Sequence, residues 1–178
     1  MAYTTINKST DYFNTTLRNG VYGTSGTTTD ITVGFKPDLV WNKVRNASGN
    51  HDLIDSVRGG GYRLQANSTN AEAADANVTS FLSNGFQITN NNDWNTTNTL
   101  VDWSWKAGGA SSSNTDGSIN STVSANTTAG FSIVSYTGTG SNATVGHGLG
   151  AVPKMIIAKK INGSTGWRVY HHGVGATK

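Results

Sequence analysis

The chain has 178 residues, a formal net charge of +3 and no cysteine. The lack of cysteine excludes a disulfide framework, a cysteine zinc site and thiol chemistry. Asn, Ser, Thr and Gly make up about half of the residues, and only 13% are charged, a composition that favours β-strands joined by polar loops.

Residues 1–20 are predicted to be an attachment segment that precedes the first domain. In it Tyr3, Tyr12 and Phe13 stand among polar residues, a mixture that a partner surface can order. No apolar stretch follows Met1, so we expect a native start without a signal peptide. One alternative stays open, in which residues 1–20 pair as the first strand of the domain that follows.

Residues 21–107 are predicted to form the first β-sandwich repeat. Ile31, Val33 and Phe35 alternate with Thr and Gly, which predicts a half-buried strand. Apolar runs between turn signals predict further strands at 39–44, 52–57, 78–82 and 86–88. Asn70 is expected to cap a short helical turn over 71–76.

The strand predicted at 100–106 has the clearest alternation. One face carries Val101, Trp103 and Trp105, and the other carries Asp102, Ser104 and Lys106. Two aromatic residues on one strand face are more often core than a stacking platform for sugars. We therefore expect Trp103 to be buried, together with Trp41 and Phe86.

The chain then begins to repeat itself. Residues 108–118 are rich in glycine and serine and are predicted to be a linker. The stretch 37–59, PDLVWNKVRNASGNHDLIDSVRG, aligns without a gap with 153–175, PKMIIAKKINGSTGWRVYHHGVG. The period, from Pro37 to Pro153, is that of a domain and not of a solenoid turn, so residues 119–178 are predicted to start a second copy. The predicted fold is all-β, an antiparallel sandwich or jelly roll in tandem, with the second copy incomplete.

A glycan-binding site is the main candidate for a ligand site. Trp94 stands between Asp93 and Asn95 in a polar loop, although a loop tryptophan more often folds back onto its own domain. Sugar hydrolysis would need a pair of carboxyl groups, and no such pair is evident around Glu72, the single glutamate. We expect no enzyme activity and no cofactor.

No metal site is expected either. His171 and His172 are adjacent in a predicted strand, so they should point to opposite faces. The loop aspartates do not match the ligand spacing of an EF-hand loop.

Five phrases resemble a domain family of structural proteins in tailed phages, especially marine ones. They are GFKPDLVW at 34–41, DSVRG at 55–59, VTSFLSNGF at 78–86, WSWKAGG at 103–109 and VGHGLGAVPK at 145–154. Such proteins resemble tandem jelly-roll, lectin-like domains. The resemblance implies a virion structural protein, the anchoring part of a tail fibre that mediates host attachment. It carries over no catalytic residue.

The resemblance also implies the partners, which are other tail proteins, two further copies in a homotrimer, and host surface glycan. A lectin-like glycan-binding module and a head decoration protein are the alternatives. Nucleic acid is not expected as a partner, because the basic residues are scattered rather than arranged in a stripe. No apolar run approaches membrane-spanning length, so membrane insertion is not expected.

Overall fold

The computed structural model describes residues 6–21, 26–74, 78–89 and 98–175. A short 3₁₀ turn at Ser9–Asp11 precedes the first strand. The strands are β1 (Phe13–Asn19), β2 (Thr28–Thr32), β3 (Leu39–Val44), β4 (His51–Asp55), β5 (Leu64–Gln65), β6 (Val78–Leu82), β7 (Gly85–Thr89), β8 (Thr99–Trp105), β9 (Ser112–Asn114), β10 (Ser121–Asn126), β11 (Phe131–Tyr136), β12 (Met155–Ala158) and β13 (Arg168–His171).

Two antiparallel sheets form the first unit. A five-stranded sheet has the order β1-β8-β3-β4-β5, and a three-stranded sheet has the order β2-β7-β6. Their facing sides share one core, which consists of Ile31, Val33, Phe35, Val40, Val44, Ile54, Val78, Phe86, Ile88 and Leu100. Apolar residues at every second position bury one face of each sheet against the other, as in other sandwiches. The predicted all-β antiparallel sandwich is confirmed.

The second unit contains the three-stranded sheet β11-β10-β9 and the hairpin β12-β13. In that hairpin Met155 lies opposite His171 and Ile157 opposite Val169. The aligned residues of the first unit pair in the same register, since Leu39 lies opposite Asp55. The prediction that 37–59 and 153–175 form the same hairpin is confirmed.

The two hairpins differ in what covers them. The second edge of β3 pairs with β8, whereas β12 pairs with β13 alone among the strands that the structure describes. Val40 is fully buried, but the aligned Ile156 is 48% exposed. The apolar side chains of β12 therefore lie at the surface.

The helical turn expected over 71–76 is wrong for its described part, 71–74. Ala73 pairs with Arg63 as an isolated antiparallel bridge, with backbone N–H···O distances of 2.9 and 3.1 Å. This pairing fixes an extended backbone and outweighs the weak capping preference of Asn70. Residues 75 and 76 lie outside the described part of the chain.

The alternation of β8 is as predicted, but its inner and outer faces are exchanged. Leu100, Asp102 and Ser104 are fully buried between the sheets, whereas Trp103 and Trp105 are half-buried on the outer side. The core can accept the Asp102 carboxylate because neighbouring strands supply its hydrogen bonds.

Of the three aromatic residues expected in the core, only Phe86 is fully buried. Trp41 and Trp103 are half-buried.

The segment predicted as a linker, 108–118, carries regular structure. It contains β9, which pairs with β10. The backbone N–H of Gly108 donates to Ser124 Oγ at 3.0 Å, and that of Gly109 donates to Asp38 Oδ2 at 3.3 Å. These bonds tie the segment to both units.

The described part of 1–20 follows the alternative that the sequence left open. Strand β1 pairs with β8 over its whole length and forms one edge of the five-stranded sheet. Attachment to a partner through this segment stays a prediction. No helix in the described ranges is long and apolar enough to cross a bilayer.

Candidate functional site

Aromatic rings cover the outer side of the five-stranded sheet, at the end where β1, β8 and β3 lie side by side. The strand register places Phe13 opposite Trp105 and Trp41 opposite Trp103. Phe131 reaches the same surface from β11 of the second unit. We call these five residues the aromatic face, and all five are half-buried.

Trp105 lies at the centre of one half of the aromatic face. Its ring centroid is 4.9 Å from that of Phe13 and 6.4 Å from that of Phe131, which is stacked on it at an interplanar angle of 29°. The Trp41 centroid lies 6.5 Å away. These separations fall in the range of favourable aromatic pairs, so the rings support one another from both units.

Trp41 connects this group to the other half of the face. Its ring meets Trp103 edge-on, at 5.9 Å and 70°, and His51 edge-on at 6.3 Å. Its indole nitrogen is enclosed and has no hydrogen-bond partner in the described part of the chain. Trp103, Trp41, Trp105 and Phe13 therefore form a continuous row of rings.

Two titratable side chains, His51 and Lys43, lie beside the row of rings. Burial lowers the pKa of His51 below its usual 6.5, the Lys43 charge lowers it further, and Asp52 opposes them. The imidazole is therefore neutral at pH 7. The ammonium of Lys43 donates to the backbone oxygen of Val44 at 2.6 Å, which holds it beside the sheet.

A buried polar network lies directly beneath the aromatic face. Asp102 is fully buried; it accepts from Arg18 Nε at 2.7 Å and from the side-chain amide of Asn42. Arg18 is on β1, Asp102 on β8 and Asn42 on β3, so the network ties together the three strands that carry four of the rings. Such support keeps the rings in one geometry.

Two acidic side chains, Asp55 and Glu72, form ion pairs that stabilise the fold. Arg58 binds Asp55 through Nε at 2.5 Å and Glu72 through Nη1 at 3.4 Å. Glu72, which the sequence suggested to be isolated, is thus joined to Asp55 through one guanidinium. Asp55 also accepts the N–H of Val57 and that of Arg58, so this group stabilises the turn after β4.

The structure describes only some of the residues that the sequence singled out. Trp94, Asp93, Asn95 and Tyr3 lie outside the described residues. Phe13 belongs to the aromatic face, and Tyr12 is half-buried with Lys106 Nζ 6.0 Å from the centre of its ring.

His171 and His172 do not point apart as expected. Their ring centroids are 5.0 Å apart, because β13 ends at His171 and the chain turns there. No group of three or more metal-ligating side chains occurs within the described ranges.

Sequence reasoning placed Trp103 and Trp105 on one strand face but did not place Phe13 on the same surface. It missed Trp41 and Phe131 as members. The sequence did contain a signal for Trp41. It lies in the predicted strand 39–44, where alternate residues share one face of the sheet. Phe131 is brought in by contact between the two units, which the local pattern does not encode.

The fold and this face define an antiparallel β-sandwich module with an aromatic surface on its five-stranded sheet. The chain belongs to the family described as a domain of unknown function (DUF7483), which matches residues 8–178. The match spans both hairpins, so the two units lie within one family domain. No curated protein and no solved structure matches the chain.

Proposed function

We propose that the chain is a glycan-binding module of a phage virion appendage, a tail fibre, that takes part in host attachment. The observation that carries the binding function is the aromatic face. In this proposal the module binds other tail proteins, works as a homotrimer, and binds sugars without hydrolysing them.

The chemistry of the face suits sugars. A pyranose ring presents a flat face of C–H groups that packs against an aromatic ring, while its hydroxyl groups stay in water. The row from Trp103 to Phe13 offers successive rings to successive sugar units. Tryptophan loses little conformational freedom on binding, and the Arg18–Asp102–Asn42 network fixes the strands beforehand.

The resemblance to phage structural proteins supports the virion part of the proposal. Two of the five matching phrases, at 34–41 and 103–109, contain three residues of the aromatic face, namely Trp41, Trp103 and Trp105. The same phrases contain the first half of β3 and the last three residues of β8. The resemblance therefore includes residues of both the sandwich and the aromatic face.

The test is binding of the purified chain to polysaccharide from the surface of the host cell, measured by isothermal titration calorimetry. Trp103→Ala should weaken binding by up to about tenfold, because one stacking ring contributes about 0.5–1.5 kcal/mol. Tyr136→Ala is the matched control, since Tyr136 is 52% exposed and lies outside the face. Circular dichroism checks that each variant is folded.

Three results would contradict the proposal. If no saturable binding occurs, the binding function is wrong. If Trp94→Ala abolishes binding and Trp103→Ala does not, the site lies in the polar loop instead. Reducing ends released above a buffer control would show an enzyme. Immunogold labelling of intact particles tests the location, and label on the head would support a decoration protein.

A further inference from the structure

A cleft of about 360 Å³ lies where the first unit meets the turn between β10 and β11. Its walls include Lys36, Asp38 and Lys106 from the first unit, and Asn126 and Thr127 from the second. This volume lies near the lower end of the range for small-molecule sites.

Close backbone packing joins the two sides of the cleft. A Cβ atom on Gly108 would lie 2.4 Å from the backbone oxygen of Ala125, so only glycine allows this approach. The Gly108 N–H donates to Ser124 Oγ, and the side-chain amide of Asn126 reaches the backbone oxygen of Ala107 at 3.4 Å. The two walls are therefore fixed relative to each other.

The lining has an excess of positive charge. Lys36 is exposed and Lys106 half-buried, and neither forms an ion pair within the described part of the chain. Asp38 is 1% exposed, and its carboxylate is turned into the wall.

The carboxylate oxygens of Asp38 are already occupied. Oδ1 accepts from Ser56 Oγ at 2.8 Å, and Oδ2 accepts from the N–H of Ala107 at 2.8 Å and that of Gly109 at 3.3 Å. A ligand in the cleft would therefore meet ammonium donors, which have no acceptor capacity.

The cleft adjoins the aromatic face through the chain itself. Lys106 directly follows Trp105. Across the cleft, Asn126 is the register partner of Phe131, whose ring stacks on Trp105. The cleft and the aromatic face therefore lie at the same junction between the units.

We propose that this cleft binds the anionic substituent of an acidic glycan, a carboxylate or a sulfate, while neighbouring sugars stack on the aromatic face. The inference rests on the proposed glycan-binding function and names its ligand class. Both substituents share the chemistry that ammonium groups recognise, namely a compact negative charge with several acceptor oxygens.

The experiment compares three probes of equal length: a neutral galactan oligomer, an oligogalacturonate and a sulfated galactan oligomer. Binding is measured by calorimetry for the full chain and for Lys36→Gln/Lys106→Gln. Lys154→Gln is the control, because it removes a charge from an exposed lysine on the second unit.

The wild-type chain should bind at least one acidic oligomer about tenfold more tightly than the neutral one, and the double variant should lose this preference. Raising the salt concentration should weaken binding of the acidic probe. The acidic oligomer that binds more tightly identifies the substituent.

Two results would overturn the inference. If all three oligomers bind equally and the lysine substitutions change nothing, the cleft takes no anion, while glycan binding stands. If none of the three binds, the inference fails, and the calorimetric test with host polysaccharide decides the proposed function separately.

Discussion

At the scale of single residues, the unusual feature is a charge in the middle of the sandwich. Asp102 has no exposed surface and Arg18 only 8%. A buried pair of this kind gives little net stability, yet removal of one partner leaves an uncompensated charge. The aromatic face above it therefore depends on an intact pair.

Arg18→Met should lower the free energy of unfolding by about 3 kcal/mol, because Asp102 would remain buried without its cation. Lys8→Met breaks the Lys8–Asp11 pair, whose side chains are 68% and 51% exposed, and should cost less than about 0.5 kcal/mol. Urea denaturation followed by tryptophan fluorescence measures both.

Asp102→Asn added to Arg18→Met should recover part of the loss, since it removes the isolated charge. Equal small losses for Arg18→Met and Lys8→Met would contradict the structural role of the pair.

The sequence predicted the alternation of β8 but not which face is buried. The rule that aromatic residues go inside failed because Asp102 finds partners on two other strands. Arg18 and Asn42 are distant from it along the chain, at sequence separations of 84 and 60 residues. A pattern within one strand cannot show such partners.

At the scale of elements, the two hairpins share a register but differ in environment. The gapless alignment was sufficient to predict the register, since a shift by one residue would turn every side chain to the other face. It could not predict burial, because burial depends on the strands packed around the hairpin.

The aligned positions Val40 and Ile156 make this difference measurable. Val40→Ala should cost about 2 kcal/mol, because Val40 is fully buried in the shared core. Ile156→Ala should cost less than about 1 kcal/mol, because its side chain is 48% exposed. Urea denaturation of the two variants tests the comparison, and equal losses would show that β12 is covered in solution.

At the scale of the whole chain, the described residues of the two units contact each other in several places, of which two involve large side chains. Phe131 contacts Trp105, and the loop after β12 contacts the segment after β5. In the second region the indole N–H of Trp167 reaches the backbone oxygens of Gln65 at 3.0 Å and Ser68 at 3.2 Å. Composition predicted a linker between the units and gave no sign of these contacts.

Trp167→Phe should loosen the hairpin β12-β13, because it removes an indole donor that two carbonyl oxygens accept. We expect its amide hydrogens to exchange about three- to tenfold faster, as follows from the loss of one hydrogen bond. Hydrogen–deuterium exchange with mass spectrometry measures this. Tyr170→Phe removes a hydroxyl from the same hairpin and should leave the exchange unchanged; an equal rise in both variants would contradict the role of Trp167.

The repeat also creates a risk of misfolding. Tandem copies risk exchanging equivalent segments while they fold. The buried and half-buried polar residues of the first hairpin are replaced in the second. Asp38, Asn42, Asp52, Asp55 and Arg58 align with Lys154, Ala158, Arg168, His171 and Val174.

A swapped chain would place the wrong charges in the first sandwich. Arg168 would take the position of Asp52, whose carboxylate now pairs with Arg63. Two guanidinium groups would then face each other. Lys154 would stand where Asp38 accepts the N–H of Ala107, and an ammonium cannot accept. Divergence at these few positions therefore disfavours exchange of the two hairpins.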